Sequence, residues 1–260
     1  CLYGPMEEYF TAATTGDPAL ADRIVACRRE LAERYLGFGL SHQGRNPSLA
    51  YRMWFKAARF STESEQLSQT LNAEADALIQ RAEKNVPAGQ QTPGAELPKD
   101  IVEQVALWHR ELTLNPALAG LLEPRQVAEL QRWHAVFLQA AEEFAQAVPV
   151  LEGAIALSPD DPRLHLQLAD AALAQGDFST GVAALDRAVA LDRTYARNWE
   201  SIGDALLAAD QPEDALAAYE KCFTALPGEL SALKKMGDCY QALGQPEAAL
   251  EAYRLCRERA

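Results

Sequence analysis

The chain has 260 residues, 48% of them hydrophobic, which is enough apolar material for a sizeable core. Its net charge of -13, with no long run of Lys or Arg, argues against nucleic-acid binding, because neutralising phosphates requires clustered cations. No stretch approaches the roughly 20 consecutive apolar residues of a bilayer-spanning helix.

The first residue is Cys1 rather than Met. One reading is cleavage of a signal peptide just before it and lipidation of Cys1, which would tether the protein to a bacterial cell envelope as its only membrane contact. The other is an arbitrary boundary and a soluble cytoplasmic protein. Residues 1–16 are read as an N-terminal segment and 17–85 as a helical region. Asp17-Pro18 opens a helix to about Gly37, with Leu20, Ile24, Cys27, Leu31 and Tyr35 on one face. Asn46-Pro47 opens a second, through about Phe60. Thr62 with Glu65 reads as a capping box for a third, striped by Leu67, Leu71, Ala75, Leu78 and Ala82 to about Asn85. Residues 86–99, with Pro87, Gly89, Pro93, Gly94 and Pro98, read as a loop or linker. Residues 100–127 read as connecting helices. Asn115-Pro116 stops one, and Pro124 begins another that leads onward.

Residues 128–260 repeat every 34 positions, in four units starting at Ala128, Pro162, Ala196 and Leu230. The eighth place of each unit holds Ala135, Ala169, Gly203 and Gly237. The twentieth holds Ala147, Gly181, Ala215 and Ala249, and the twenty-seventh Ala154, Ala188, Cys222 and Cys256. Small residues at fixed register let antiparallel helices approach and stack. Larger ones fill between them, among them Leu168, Ile202 and Met236 at the seventh place and Leu151, Leu185, Tyr219 and Tyr253 at the twenty-fourth. Breaks at Gly176-Asp177, Asp210-Gln211-Pro212 and Gly244-Gln245-Pro246 divide the units into helix, turn and helix.

With Trp199, Ile202, Gly203, Ala215, Tyr219 and Pro227 in one unit, and Met236, Gly237, Tyr240, Gly244, Ala249 and Tyr253 in the next, this pattern resembles the tetratricopeptide repeat. The first unit departs from it, with Glu142 at the usual turn glycine and His134 at an apolar place. Gly37, Gly44, Ala50 and Met53-Trp54-Phe55-Lys56-Ala57-Ala58 resemble a single Sel-like repeat. The resemblance implies an all-α fold, a right-handed α-solenoid of helix-turn-helix repeats behind an irregular helical N-terminal region. It also implies a scaffold for protein-protein interaction. The favoured form is an envelope-anchored lipoprotein that assembles a larger complex, and the alternative is a cytoplasmic adaptor or co-chaperone-like protein.

Family geometry places a partner groove on the first helix of each unit. It is lined by Arg163, Leu166, Asp170 and Leu173, by Arg197, Glu200, Asp204 and Leu207, by Ser231, Lys234, Asp238 and Gln241, and in the first unit by Glu129, Arg132, Val136 and Gln139. Asp170, Asp204 and Asp238 recur at the ninth place, where chaperone-binding relatives carry asparagine. A row of carboxylates repels an acidic tail and suits a basic or partly apolar polypeptide. Leu250, Tyr253 and Leu255 on the last helix are expected to be partly uncovered, which would suit a partner or a second copy of the chain.

The sequence offers no phosphate-cradling glycine loop, no HExxH, no GxSxG and no CxxC. His42, His109, His134 and His165 are not at metal-ligand spacing, so no catalytic residue, metal or cofactor is expected. Cys222 and Cys239 could approach each other across a unit boundary, but the reading preferred for Cys222 is a buried small apolar residue.

Overall fold

The computed structural model describes residues 18–61, 63–87 and 93–259. Among them are thirteen α-helices, one short 3-10 helix and no strand. The chain divides into two compact units, Cys1–Asn85 with Pro98–Leu130, and Val86–Leu97 with Gln131–Ala260.

The first unit holds α1 (Pro18–His42), α2 (Pro47–Phe60), α3 (Glu65–Asn85), α4 (Lys99–Leu114), the single turn α5 (Pro116–Ala119) and the start of α6 (Pro124–Ala140). Helix α1 runs five residues past Gly37. Gly39 explains why the chain keeps a glycine there, since a methyl group at that position would collide with the Trp54 indole. Asn46 caps α2 by accepting from the Leu49 amide at 3.1 Å, with Pro47 in the first turn where its missing N–H costs nothing. The cap of α3 is Ser64, whose hydroxyl accepts from the Leu67 amide at 3.2 Å. Thr62, the cap expected from sequence, lies outside the described residues, as does Cys1. The unit's core holds an aromatic cluster: the Trp108 ring meets Phe55 edge-on at 4.8 Å and Tyr51 at 5.6 Å, and all three are buried.

The second unit continues α6 and adds α7 (Phe144–Leu157), α8 (Pro162–Ala174), α9 (Phe178–Leu191), a 3-10 turn (Arg193–Arg197), α10 (Asn198–Ala208), α11 (Pro212–Ala225), α12 (Leu230–Ala242) and α13 (Pro246–Arg259). These are the helices of the four 34-residue repeats, an all-α solenoid of hairpins. Each residue at the small places is buried except Cys256, which is half-buried. In segment 86–97, Val86 is buried, and the Gly94 amide donates to the Ala140 carbonyl at 2.9 Å, satisfying the open end of α6.

The turn inside every hairpin is the same device. The fifteenth place adopts the left-handed conformation in all four units: Glu142 at φ 61°, Gly176 at φ 80°, Asp210 at φ 59° and Gly244 at φ 70°. The next amide then closes a wide ring onto the first helix. Glu143 donates to Leu138, Asp177 to Ala172, Gln211 to Leu206 and Gln245 to Tyr240, at 2.8 to 3.0 Å. Glu142 therefore makes the same turn as the glycines, with a side chain in a conformation that costs L-residues energy.

Candidate interaction surface

The last two hairpins share a contact that the first two lack. Gly203 lies against the ring of Tyr219, and Gly237 against that of Tyr253, so closely that a methyl group on either glycine would strike the ring. Each ring thereby carries its hydroxyl to the neighbouring aspartate: Tyr219 donates to Asp204 at 2.7 Å and Tyr253 to Asp238 at 2.6 Å. In the first two repeats the corresponding pairs are Ala135 with Leu151 and Ala169 with Leu185, which offer no hydroxyl.

The ninth-place aspartates therefore differ. Asp204 holds Tyr219 and also Lys235, whose ammonium is 2.7 Å from both carboxylate oxygens. Asp238 holds Tyr253, whose hydroxyl also lies 3.4 Å from Gln241 Oε1. Asp170 has no hydrogen-bond or ion-pair partner among the described residues, and it reaches solvent. Loss of hydration to the surrounding protein still pushes its carboxyl up to about 6.

Neighbouring first helices are tied along this face. Lys235 joins Glu200 at 2.8 Å as well as Asp204, and Ser231 donates to Glu200 at 3.0 Å. Just ahead of two of these helices Arg197 of the 3-10 turn binds Glu229, and Gln139 donates to the Gln167 carbonyl at 2.8 Å. Arg163 turns back onto Asp161 at 2.7 Å. Burial alone would raise the Asp161 carboxyl, but the hydrogen bonds from Arg163 outweigh it and hold that group below the usual carboxylate range. Burial likewise works against the Lys235 ammonium, yet its bonds to Asp204 and Glu200 keep it above the usual lysine range. Accepting from Tyr253, Asp238 pushes that phenol up to about 12, with burial adding to the shift.

Of the residues expected to line the groove, Glu200, Asp204 and Ser231 are brought together, while Leu166, Leu173 and Leu207 are half-buried and Lys234 is exposed. The first-unit set corrects the expectation, because Glu129, Arg132, Val136 and Gln139 are all buried and do not form an open wall. Lys235, one place after Lys234, was missed: on a helix that step of about 100° decides which lysine meets the preceding helix. The tyrosine contacts were missed too, although a signal existed. Glycine at the eighth place coincides with tyrosine at the twenty-fourth, and alanine with leucine, in all four units.

A concavity of about 430 Å³ lies between α9, α10 and α11, with Phe178, Val182, Trp199 and Leu206 in its wall. Lys221 borders it, its ammonium 4.2 Å from the centre of the Trp199 ring and 2.7 Å from Asp186. Cys222 and Cys239 are free and buried, and burial pushes both thiols up. Among the described residues no group of three or more His, Cys, Asp or Glu is placed to hold a metal, and no helix is long and apolar enough to cross a membrane.

Comparison with known proteins places these hairpins. The tetratricopeptide repeat family matches residues 138–201 and again 201–260. A search of curated proteins found no match. Among solved structures, a crystal structure of MamA superposes with a TM-score of 0.52 at 16% identity, covering 74% of this chain and 92% of the other. A double mutant of MamA from RS-1 gives 0.51 at 17%, covering 73% and 94%, and MamA from AMB-1 gives 0.51 at 13%, covering 72% and 91%. At such identities the likeness is one of fold alone. Repeat period, hairpin geometry and family match agree, and the chain is a tetratricopeptide repeat protein over residues 138–260.

Proposed function

We propose that the protein is a non-catalytic scaffold that binds a polypeptide segment, basic and partly apolar, along the first helices of its repeats. The supporting observation is the wall presented by α8. Asp170 is an exposed carboxylate with no partner among the described residues, and Leu166 and Leu173 lie four and three positions away on the same helical face, half-buried. An unspent charge between incompletely covered leucines suits a chain that alternates cationic and apolar side chains. The repeats themselves belong to a protein-interaction family, and the chemistry of the row favours this class of partner over acidic tails.

Peptide display against the immobilised full chain tests the reading. Selected sequences are expected to be enriched in Lys or Arg beside Leu, Ile or Phe, and to lose binding to Asp170→Lys. Enrichment of acidic sequences, or indifference to that reversal, would refute it.

The finer form of the proposal puts this scaffold on a bacterial envelope through a lipid at Cys1, with a cytoplasmic adaptor as the alternative. The intact mass of the natively expressed protein decides between them. A second copy of the chain is also admitted as a partner; Leu250, 69% exposed, is the side chain it would cover, and sedimentation of an Leu250→Glu variant reads that contact.

A further inference from the structure

Lys235 stands at the sixth place of its repeat, where the other three repeats carry Trp133, Gln167 and Ser201. Among these four places, then, only the last supplies a cation. That cation crosses to the preceding first helix and meets Glu200 at 2.8 Å, both oxygens of Asp204 at 2.7 Å, and the Tyr219 ring at 5.7 Å from its centroid. Two carboxylates and an aromatic face around one ammonium are the groups with which proteins take up a lysine side chain from a partner. Here the chain's own lysine fills the place. The arrangement is not sealed, because the side chains of Lys235, Glu200 and Asp204 keep 29%, 18% and 53% of their surface.

One hairpin earlier the same register is left open. Asp170 corresponds to Asp204, and Ser201 to Lys235. Leu185 stands where Tyr219 would donate, so Asp170 receives neither hydroxyl nor ammonium among the described residues.

We infer that Lys235 is a built-in occupant of the binding wall, withholding Glu200 and Asp204 from a basic partner and leaving Asp170 as the carboxylate that reads the partner's cation. This rests on the reading of that face as the binding wall. A basic side chain arriving at α10 must displace an ammonium already in place, which exchanges one ion pair for another with little gain. At α8 it meets a carboxylate that has nothing to give up. Removing Lys235 would take away the ammonium that Glu200 and Asp204 share, and would open a second cation site.

The test uses the full chain and a fluorescent peptide of Lys and Leu, with a Glu and Leu peptide as control, read by anisotropy at low ionic strength where exposed charges are least screened. Lys235→Met is expected to bind the Lys-Leu peptide about three- to tenfold more tightly than the parent, the range of one or two partly exposed ion pairs. Lys235→Arg, which keeps the occupant, should bind like the parent, and the Lys235→Met, Glu200→Gln, Asp204→Asn combination should lose the gain. If the parent binds, Asp170→Asn weakens it and Lys235→Met changes nothing, the built-in occupant is refuted and the wall survives. If neither the parent nor Lys235→Met binds the peptide, the wall itself is refuted. Circular dichroism and a urea midpoint establish that each variant folds. Should Lys235→Met unfold, Glu200→Gln serves instead, since it keeps Lys235 on Asp204: it is expected to leave binding unchanged where Asp170→Asn weakens it, and equal losses would overturn the inference.

Discussion

Replacing Gly203 by Ala puts a methyl group into the ring of Tyr219, a contact that neither the helix backbone nor the buried ring can relieve cheaply. Overpacking of this kind costs about 1–3 kcal/mol, and the better helix propensity of Ala returns about 1 kcal/mol, so Gly203→Ala should destabilise by about 0–2 kcal/mol. Tyr219→Leu alone removes the hydroxyl bond to Asp204 and leaves space beside Gly203, a loss of about 2–3 kcal/mol. Together the two changes recreate the alanine and leucine pairing that packs in the first two repeats, as at Ala169 with Leu185. The double variant should therefore be about 2 kcal/mol more stable than the sum of the single losses implies. Urea unfolding followed by far-ultraviolet circular dichroism and by tryptophan fluorescence measures it, and coincidence of the two curves permits two-state treatment. Strict additivity would show that glycine and ring do not depend on each other, and the account of the hairpin interior would fail.

Glu142→Gly and Asp210→Gly should each stabilise by about 0.5–1 kcal/mol, because glycine enters the left-handed turn without a side-chain penalty; Gly176→Ala should cost about 1 kcal/mol, and a fall in urea midpoint for both glycine variants would contradict the turn assignment. The Asp170 carboxyl is raised to about 6 from 3.8, so its contribution to stability is present below pH 3.8 and is lost as pH rises through 6. Asp170→Asn should then match the parent near pH 4 and exceed it at pH 7 in thermal midpoint; a gap that closes as pH rises would reverse the sign. Cys222 and Cys239 should resist a thiol reagent until the second unit unfolds, whereas half-buried Cys27 and Cys256 react in the native protein, and mass spectrometry of a short labelling pulse separates the pairs.

The fold was legible from residue 128 onward because it is built by recurrence. Small side chains at three fixed places say where helices touch, and the same register recurs without insertion. Less could be read where one contact decides the outcome. Nothing at Gly37 says that α1 continues to His42, where His42 stacks on Phe38 at 4.2 Å and Trp54 of another helix lies against Gly39. At the candidate surface, the ninth-place aspartates look alike in sequence, and their different states arise from partners fifteen and thirty-one residues away, Tyr219 and Lys235. Helical spacing finds the row, but which of its members already has a partner depends on tertiary contacts that spacing does not carry. The burial of Glu129 and Arg132 has the same origin.

Because the residues paired at the eighth and twenty-fourth places, alanine with leucine or glycine with tyrosine, belong to one 34-residue segment, each hairpin brings its own lock and key. Chimaeras joined at Pro162, Ala196 or Leu230 would inherit matched halves, whereas a splice within the turn at Asp210 could marry a ring to a methyl group. A lineage that shuffles such segments can thus lengthen or reorder the array only by whole steps, and the grain of permissible rearrangement is written into the packing of a single side chain.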